Sequence, residues 1–259
     1  MQLTILGSGS AGNSAYLEAG QTRLLIDAGL SGRQIRHRLL SIGRTPEVLS
    51  GILVSHEHSD HIQGLTTLAA KLGIPVYCNR QTRLGIEAAL GIQGQFRIFD
   101  TGAAFEVGEV AVETFSVPHD AADPVGFLVR TAGGNIGFVT DLGHATKLVL
   151  QRARPAHLLV LESNHDIEML QNDFRRPWSL KQRILSRHGH LSNSAAAEAL
   201  RELITAETRH VCLAHLSRDC NRPELALAAA QQCLQALGAS HVRLGAASQE
   251  SPHGTLQLG

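Results

Sequence analysis

The chain has 259 residues, a hydrophobic share of 43 % and a formal net charge of zero with histidine neutral. That length and apolar content suffice for a buried core and exclude a disordered chain, and the charge balance excludes a uniformly basic nucleic-acid binder while leaving room for a local basic patch. Four cysteines without a CxxC pair, no leader before the first strand and no apolar run of the ~18 residues a membrane span needs point to a soluble, cytoplasmic protein with reduced thiols.

Gln2 to Leu6 predicts a short strand. Gly7-Ser8-Gly9-Ser10-Ala11-Gly12 then matches GxGxxG, and Asp27 follows twenty residues after Gly7, the spacing of a dinucleotide-binding unit. Such a unit needs a helix after its third glycine. Residues 13–18 and 23–27 instead read as two strands about a turn at Ala19-Gly20-Gln21-Thr22, which is a hairpin pattern. The glycines are expected to allow a tight turn and a close backbone approach near the site. Ser31 is placed to cap a helix with Ile35, Leu39, Leu40 and Ile42 on one side. Arg33, Arg36, His37 and Arg38 read as its solvated face.

The apolar run Gly51-Ile52-Leu53-Val54 predicts a buried strand. It delivers Ser55-His56-Glu57-His58-Ser59-Asp60-His61, where three histidines and an aspartate fall within six residues. Imidazole and carboxylate hold borderline divalent metals, and a strand end is both rigid and accessible. On a strand His56 and His58 share a face, so that pair suits one metal; Asp60 and His61, after the strand, suit a second. A helix is predicted over Ile62 to Leu72, a strand at Val76 to Cys78 and a helix over Thr82 to Leu90. From Gln95 to Gly137 the pattern is β: Phe105 to Val107, Val110 to Val117, Gly126 to Thr131 and Asn135 to Val139, separated by Gly, Asp or Pro turns. His119 and Asp141 follow two of these strands. Helices return from Lys147, with a strand at His157 to Leu161, and the apolar run Val211 to Ala214 ends at His215. Strand and helix blocks in both halves suit an α/β fold of two packed sheets with helices outside, a four-layer αββα sandwich. With no fixed-period repeat and no linker, residues 1–259 read as a single domain.

His56-x-His58-x-Asp60-His61 resembles the HxHxDH signature of the metallo-β-lactamase superfamily. His119, Asp141 and His215 occupy positions similar to the later superfamily motifs. The resemblance implies His56, His58 and His119 on one divalent metal, Asp60, His61 and His215 on another, and Asp141 between them. It implies hydrolysis by a metal-bound hydroxide that Asp60 also orients, with zinc, manganese or iron as the pair of ions.

Three further stretches narrow the branch: Leu161-Glu162-Ser163-Asn164-His165-Asp166, Arg187-His188-Gly189-His190-Leu191-Ser192-Asn193, and Leu213-Ala214-His215-Leu216-Ser217-Arg218-Asp219. With the Gly-Ser-x-x-Gly-Asn-Ser-like opening they resemble the YycJ/WalJ-type branch over nearly the whole chain, and more widely the ribonuclease Z type of phosphodiesterase. Members of that branch are associated with exonuclease action on DNA. The resemblance suggests His190 as proton donor to the leaving oxygen and Glu162 as its orienting partner; a histidine suits that task at neutral pH. His165 is expected as a further metal or phosphate contact, or as support for a ligand. Arg175, Arg176, Lys181, Arg183 and Arg187 surround Trp178, an arrangement suited to a phosphate backbone with a base stacked on the indole, or else to a solvated helix with Trp178 in the core. The first expectation is therefore a phosphodiesterase acting on nucleic acid, a DNA exonuclease. The alternative is a hydrolase of cyclic phosphodiesters or thioesters on the same metals. A non-enzymatic metal- or dinucleotide-binding regulator is the third.

Overall fold

A computed structural model describes residues 1–258. The chain opens with β1 (Gln2–Gly7), β2 (Ser14–Ala19) and β3 (Thr22–Ile26), followed by α1 (Gly32–Ser41), β4 (Gly51–Leu53), α2 (Ser59–Ile62), α3 (Leu65–Leu68), β5 (Val76–Cys78), α4 (Arg80–Leu90) and β6 (Phe96–Ile98). The second half runs β7 (Ala104–Val107), β8 (Val110–Ser116), β9 (Val125–Thr131), β10 (Gly134–Val139), α5 (Lys147–Ala153), β11 (Leu158–Glu162), α6 (Ile167–Asn172), α7 (Trp178–Ile184), α8 (Asn193–Leu203), β12 (His210–Ala214), α9 (Pro223–Ala236), β13 (Arg243–Ala246) and β14 (Leu256–Gln257).

The strands form two seven-stranded sheets, ordered β14-β1-β2-β3-β4-β5-β6 and β13-β12-β11-β10-β9-β8-β7. Period-two alternation sorts their side chains into layers. Leu24 and Ile26 of β3 meet Phe127 and Val129 of β9 and Leu158 and Val160 of β11 in the core between the sheets. Leu25 faces the other way, into a cluster with Ile35 and Leu39 of α1 and Ile86 of α4. Leu159 and Leu161 face a third cluster with Val149 of α5, Leu200 of α8 and Leu234 of α9. The result is the αββα sandwich that the strand and helix blocks predict. Each fully buried leucine contributes ~1.5–3 kcal/mol of transfer free energy, so the double core is the main source of stability.

β2 is a strand paired antiparallel with β1, from Gln2 opposite Glu18 to Gly7 opposite Ser14. The helix that a dinucleotide unit requires is therefore not there. Ser31 caps α1 in a capping box with Gln34. Two expectations need correction. The single helix over Ile62 to Leu72 is instead α2 and α3, because the Gly64 amide donates to the carbonyl of Ala28 at 2.7 Å and leaves the helical ladder. Arg38 is not on a solvated face: it is buried, donating to the carbonyls of Leu6 (2.6 Å), Gln249 (2.9 Å) and Glu250 (3.2 Å).

Candidate active site

Strand ends build the site. β3, β4 and β5 run parallel, as do β10, β11 and β12, and the candidate side chains leave their carboxyl ends, the place where open α/β sheets bind ligands. His56 follows β4, Asp141 follows β10, Glu162 closes β11 and His215 follows β12. Asp27, Asp141 and His215 are the non-glycine residues with positive φ among those described, at 59°, 57° and 54°. Left-handed backbone at such residues costs on the order of 1 kcal/mol or more and persists where the surroundings fix it, typically at functional sites. Glycines make room for the α2 turn. A Cβ on Gly29 would lie 1.6 Å from the Asp60 carbonyl oxygen, and one on Gly12, at φ +138°, would lie 2.7 Å from the Gly29 carbonyl oxygen. The expected close approach is thus between the glycine loop and the turn carrying Asp60 and His61.

The structure brings all seven predicted ligand residues together. Donor atoms of His56, His58 and His119 lie within 4.8 Å of one another, as do those of Asp60, His61 and His215; His56 with His61 and Asp141 makes a third such group. Asp141 stands between the sets, Oδ2 3.4 Å from His61 Nε2 and Oδ1 3.4 Å from His215 Nε2. Two buried atoms of the cluster, His56 Nε2 and Asp141 Oδ2, have no hydrogen-bond partner. A buried polar atom left unpaired is costly, and orphaned imidazole and carboxylate atoms aimed at one point are the donor set a divalent cation takes.

The histidines are turned by their neighbours. Nδ1 of His56 contacts Ser55 Oγ at 3.0 Å, Nδ1 of His61 contacts Asp27 Oδ2 at 2.8 Å, and Nδ1 of His119 donates to the Gly189 carbonyl at 3.1 Å. Nδ1 of His215 contacts Glu162 Oε1 at 3.0 Å. With Nδ1 held, Nε2 of each ring is directed to the cluster. Burial and then the neighbouring His61 push the His56 imidazole down, so it stays neutral. Burial also pulls at His61, but the carboxylates of Asp141, Asp27 and Asp60 outweigh it and raise its affinity for a proton. The pocket around His61 therefore stabilises positive charge, and the clusters fit a divalent metal.

Glu162 is fully buried. Its Oε2 accepts the amides of Leu142 (3.0 Å) and Leu191 (3.1 Å), and its Oε1 lies 2.7 Å from His190 Nδ1. Burial would raise its carboxyl, but His190 and His215 hold it low. In turn, burial lowers His190 while the Glu162 charge and hydrogen bond raise it further, so the imidazolium is favoured. His190 lines a cleft of about 320 Å³ together with His58, Asp60, His119, Asp141 and His215.

The five predicted substrate residues are dispersed. Arg176 lines the cleft, tied to Asp173 and, at 3.0 Å, to Asp219. Arg175 pairs with the same aspartates outside the cleft wall. Lys181 is buried, its Nζ donating to the Gln171 carbonyl at 2.7 Å. Arg187 is exposed, and its carbonyl accepts from His144. His165 is buried with neither ring nitrogen partnered, and burial pushes it down to about 4. Arg183 lines the cleft, paired with Asp120. Trp178 is 60 % exposed and so not in the core, and Phe174 beside it is 93 % exposed.

Residue types and spacing did not single out Asn13 or Asn164, nor Asp27 as a support for a histidine. Asn13 Nδ2 donates to Asp60 Oδ2 at 3.2 Å, and Asn164 Nδ2 donates to the His215 carbonyl at 2.8 Å. Asp27 stood out only as the acid twenty residues after Gly7 in the dinucleotide pattern; here it contacts His61 instead. The available signal was a carboxylate at a strand end next to a motif histidine.

A β-lactamase superfamily domain matches residues 22–216. The chain belongs to that superfamily. It is 41 % identical over 240 residues to exodeoxyribonuclease YycJ of Bacillus anthracis, covering 92 % of this chain and 90 % of that protein. It is 40 % identical over 227 residues to exodeoxyribonuclease WalJ of Streptococcus pneumoniae serotype 2, covering 86 % and 84 %. Among solved structures, the metallo-β-lactamase fold protein YhfI of Bacillus subtilis superposes with a TM-score of 0.74 over 97 % of this chain and 98 % of its own, at 16 % identity. The superfamily's fold is thus shared throughout, and the chain is a hydrolytic enzyme of the YycJ/WalJ-type branch. Among the described residues no helix is long and apolar enough to cross a membrane.

Proposed function

We propose that this chain is a DNA exonuclease, a phosphodiesterase working with two divalent ions as one domain in the cytoplasm. The observation that carries the chemistry is the His190–Glu162 pair, 2.7 Å apart, opening on the same cleft as the clustered histidine and aspartate donors. DNA as substrate is supported by the relatives named exodeoxyribonuclease.

His56, His58 and His119 would hold one ion and Asp60, His61 and His215 the other, with Asp141 reaching both. Zinc, manganese or iron suits these donors. Such ions supply Lewis acidity to the phosphoryl group and lower the pKa of water. The chain's own residues do the rest. Asp60, held by Asn13, orients the attacking water. His190 keeps its proton through Glu162 and gives it from Nε2 to the leaving oxygen, a step worth ~10²–10⁴-fold in rate. Glu162 stays ionised throughout, because its lone pairs are already taken by two amides and two imidazoles.

The cleft arginines 176 and 183 are each tied to an aspartate, which favours a second reading: hydrolysis of a small or cyclic phosphodiester in the same cleft. End-labelled single- and double-stranded DNA, RNA and a cyclic dinucleotide, each incubated with zinc- or manganese-loaded protein, separate the two. Stepwise loss of DNA from an end is expected, abolished in His58→Ala and reduced ~10²–10⁴-fold at unchanged metal content in His190→Ala. Intact DNA beside a cleaved cyclic substrate would leave only the second reading.

A further inference from the structure

A second cavity, of about 460 Å³, adjoins the cleft. Ser10, Arg176 and Ser217 line both, so the two are compartments of one trough meeting at these three side chains. The volume falls within the ~300–1,000 Å³ of small-molecule sites. Its lining is amphipathic: Leu216, Pro223 and Ala246 are apolar, while Arg218 and Glu250 are charged and exposed.

Its walls are tied together. The glycine loop is bonded to the segment Ser248 to Glu250, and both adjoin the stretch from Leu216 to Pro223. Gln249 Oε1 accepts the Ala11 amide at 2.9 Å, Gln249 Nε2 donates to the Gly12 carbonyl at 2.8 Å, and the Ser8 amide donates to the Ser248 carbonyl at 3.1 Å. Buried Arg38 fastens the back, bonding Leu6 in β1 and the carbonyls of Gln249 and Glu250. A cavity shaped by so many main-chain bonds is preorganised, and its occupant need not bear the cost of ordering it.

We infer that this compartment receives the nucleoside next to the scissile phosphodiester, with Arg218 reaching the following phosphate. The inference rests on the nuclease reading. Continuity through Arg176 and Ser217 places the occupant one step along the chain from the reacting phosphate. The apolar lining suits a sugar and base face, and the Glu250 carboxylate accepts from a base amino group. The cavity does not line the metal donors, so it acts on substrate binding and leaves the chemistry to the cleft.

Fluorescence anisotropy of a labelled single-stranded DNA 12-mer on metal-loaded His190→Ala protein, which cleaves ~10²–10⁴-fold more slowly and so permits binding to be read first, tests this. Ala11→Trp, which fills the cavity from an exposed turn, and Arg218→Glu, which reverses its rim charge, should each raise Kd about tenfold or more. Arg209→Glu, at the opposite end of β12, should leave Kd unchanged. If both cavity variants bind like their parent, the subsite assignment is wrong while the nuclease reading stands. If the parent does not bind DNA at all, the nuclease reading fails and takes the subsite with it. Should Ala11→Trp not fold, Arg218→Glu against Arg209→Glu decides.

Discussion

Five histidines of the site have the same ring nitrogen occupied by the protein. Nδ1 of His56, His61, His119, His190 and His215 contacts Ser55, Asp27, Gly189 or Glu162, which fixes each ring's orientation before any ligand arrives. The most informative of these supports is Asp27, because its carboxylate touches no predicted ligand except His61 and also accepts the Ser55 amide at 2.8 Å. Asp27→Asn keeps the shape and removes the charge. Metal affinity, read by competition with a chelator, is expected to fall ~10–100-fold, with the fold intact by circular dichroism. Unchanged affinity would mean that Asp27 only braces the hairpin. At this scale the clustering of these donors was legible because HxHxDH packs four of them into six residues, and His119, Asp141 and His215 each follow a strand. Asp27, Asn13 and Asn164 were not, since their contacts depend on backbone turns and long-range packing that spacing does not encode.

Helix α7 and the turn before it carry the arginines that the sequence offers as a phosphate patch, and in the fold their charge is shared with carboxylates. A run of cations says nothing about the aspartates that fold back on them. Asp173 accepts the Arg175 amide at 3.0 Å and the guanidinium groups of Arg175 and Arg176, and Asp219 holds both arginines from another loop. The Arg175 amide first, then Arg176 and Arg175, keep the Asp173 carboxyl well below the usual carboxylate range, against the opposing effect of burial. A carboxyl whose folded pKa is depressed contributes stability above its unfolded pKa of ~3.9 and loses it as pH falls toward the folded value. The stability difference between wild type and Asp173→Asn, from urea midpoints, should therefore be level from pH 7 to about pH 5 and shrink below about pH 4. A difference that is flat to pH 3 would show that the clasp is not ionic. The predicted helix Ile62 to Leu72 failed for a related reason. Its spacing is helical, but the Gly64 amide is claimed by the Ala28 carbonyl, a contact far back in the chain that no local pattern announces.

Across the whole molecule, the two sheets and three hydrophobic layers were readable from alternating strands, whereas the short edge strands β13 and β14 were not, being too brief and half-exposed to show a period. The cysteine reading can be checked directly. Cys78, Cys212, Cys220 and Cys233 are unpaired and buried, and burial pushes the Cys78 and Cys212 thiols up to about 12. A thiol reagent at pH 8 should find none reactive in the native protein and four after denaturation. Rapid native labelling would mean that the layers open far more readily than their packing implies. The central claim is that two donor sets converge on one cleft and share Asp141. Metal content per chain after loading with zinc or manganese and desalting, measured by mass spectrometry for wild type, His58→Ala and His61→Ala, tests it most directly. Two ions in the wild type and a loss of about one in each variant are expected; a wild type that retains none would contradict it.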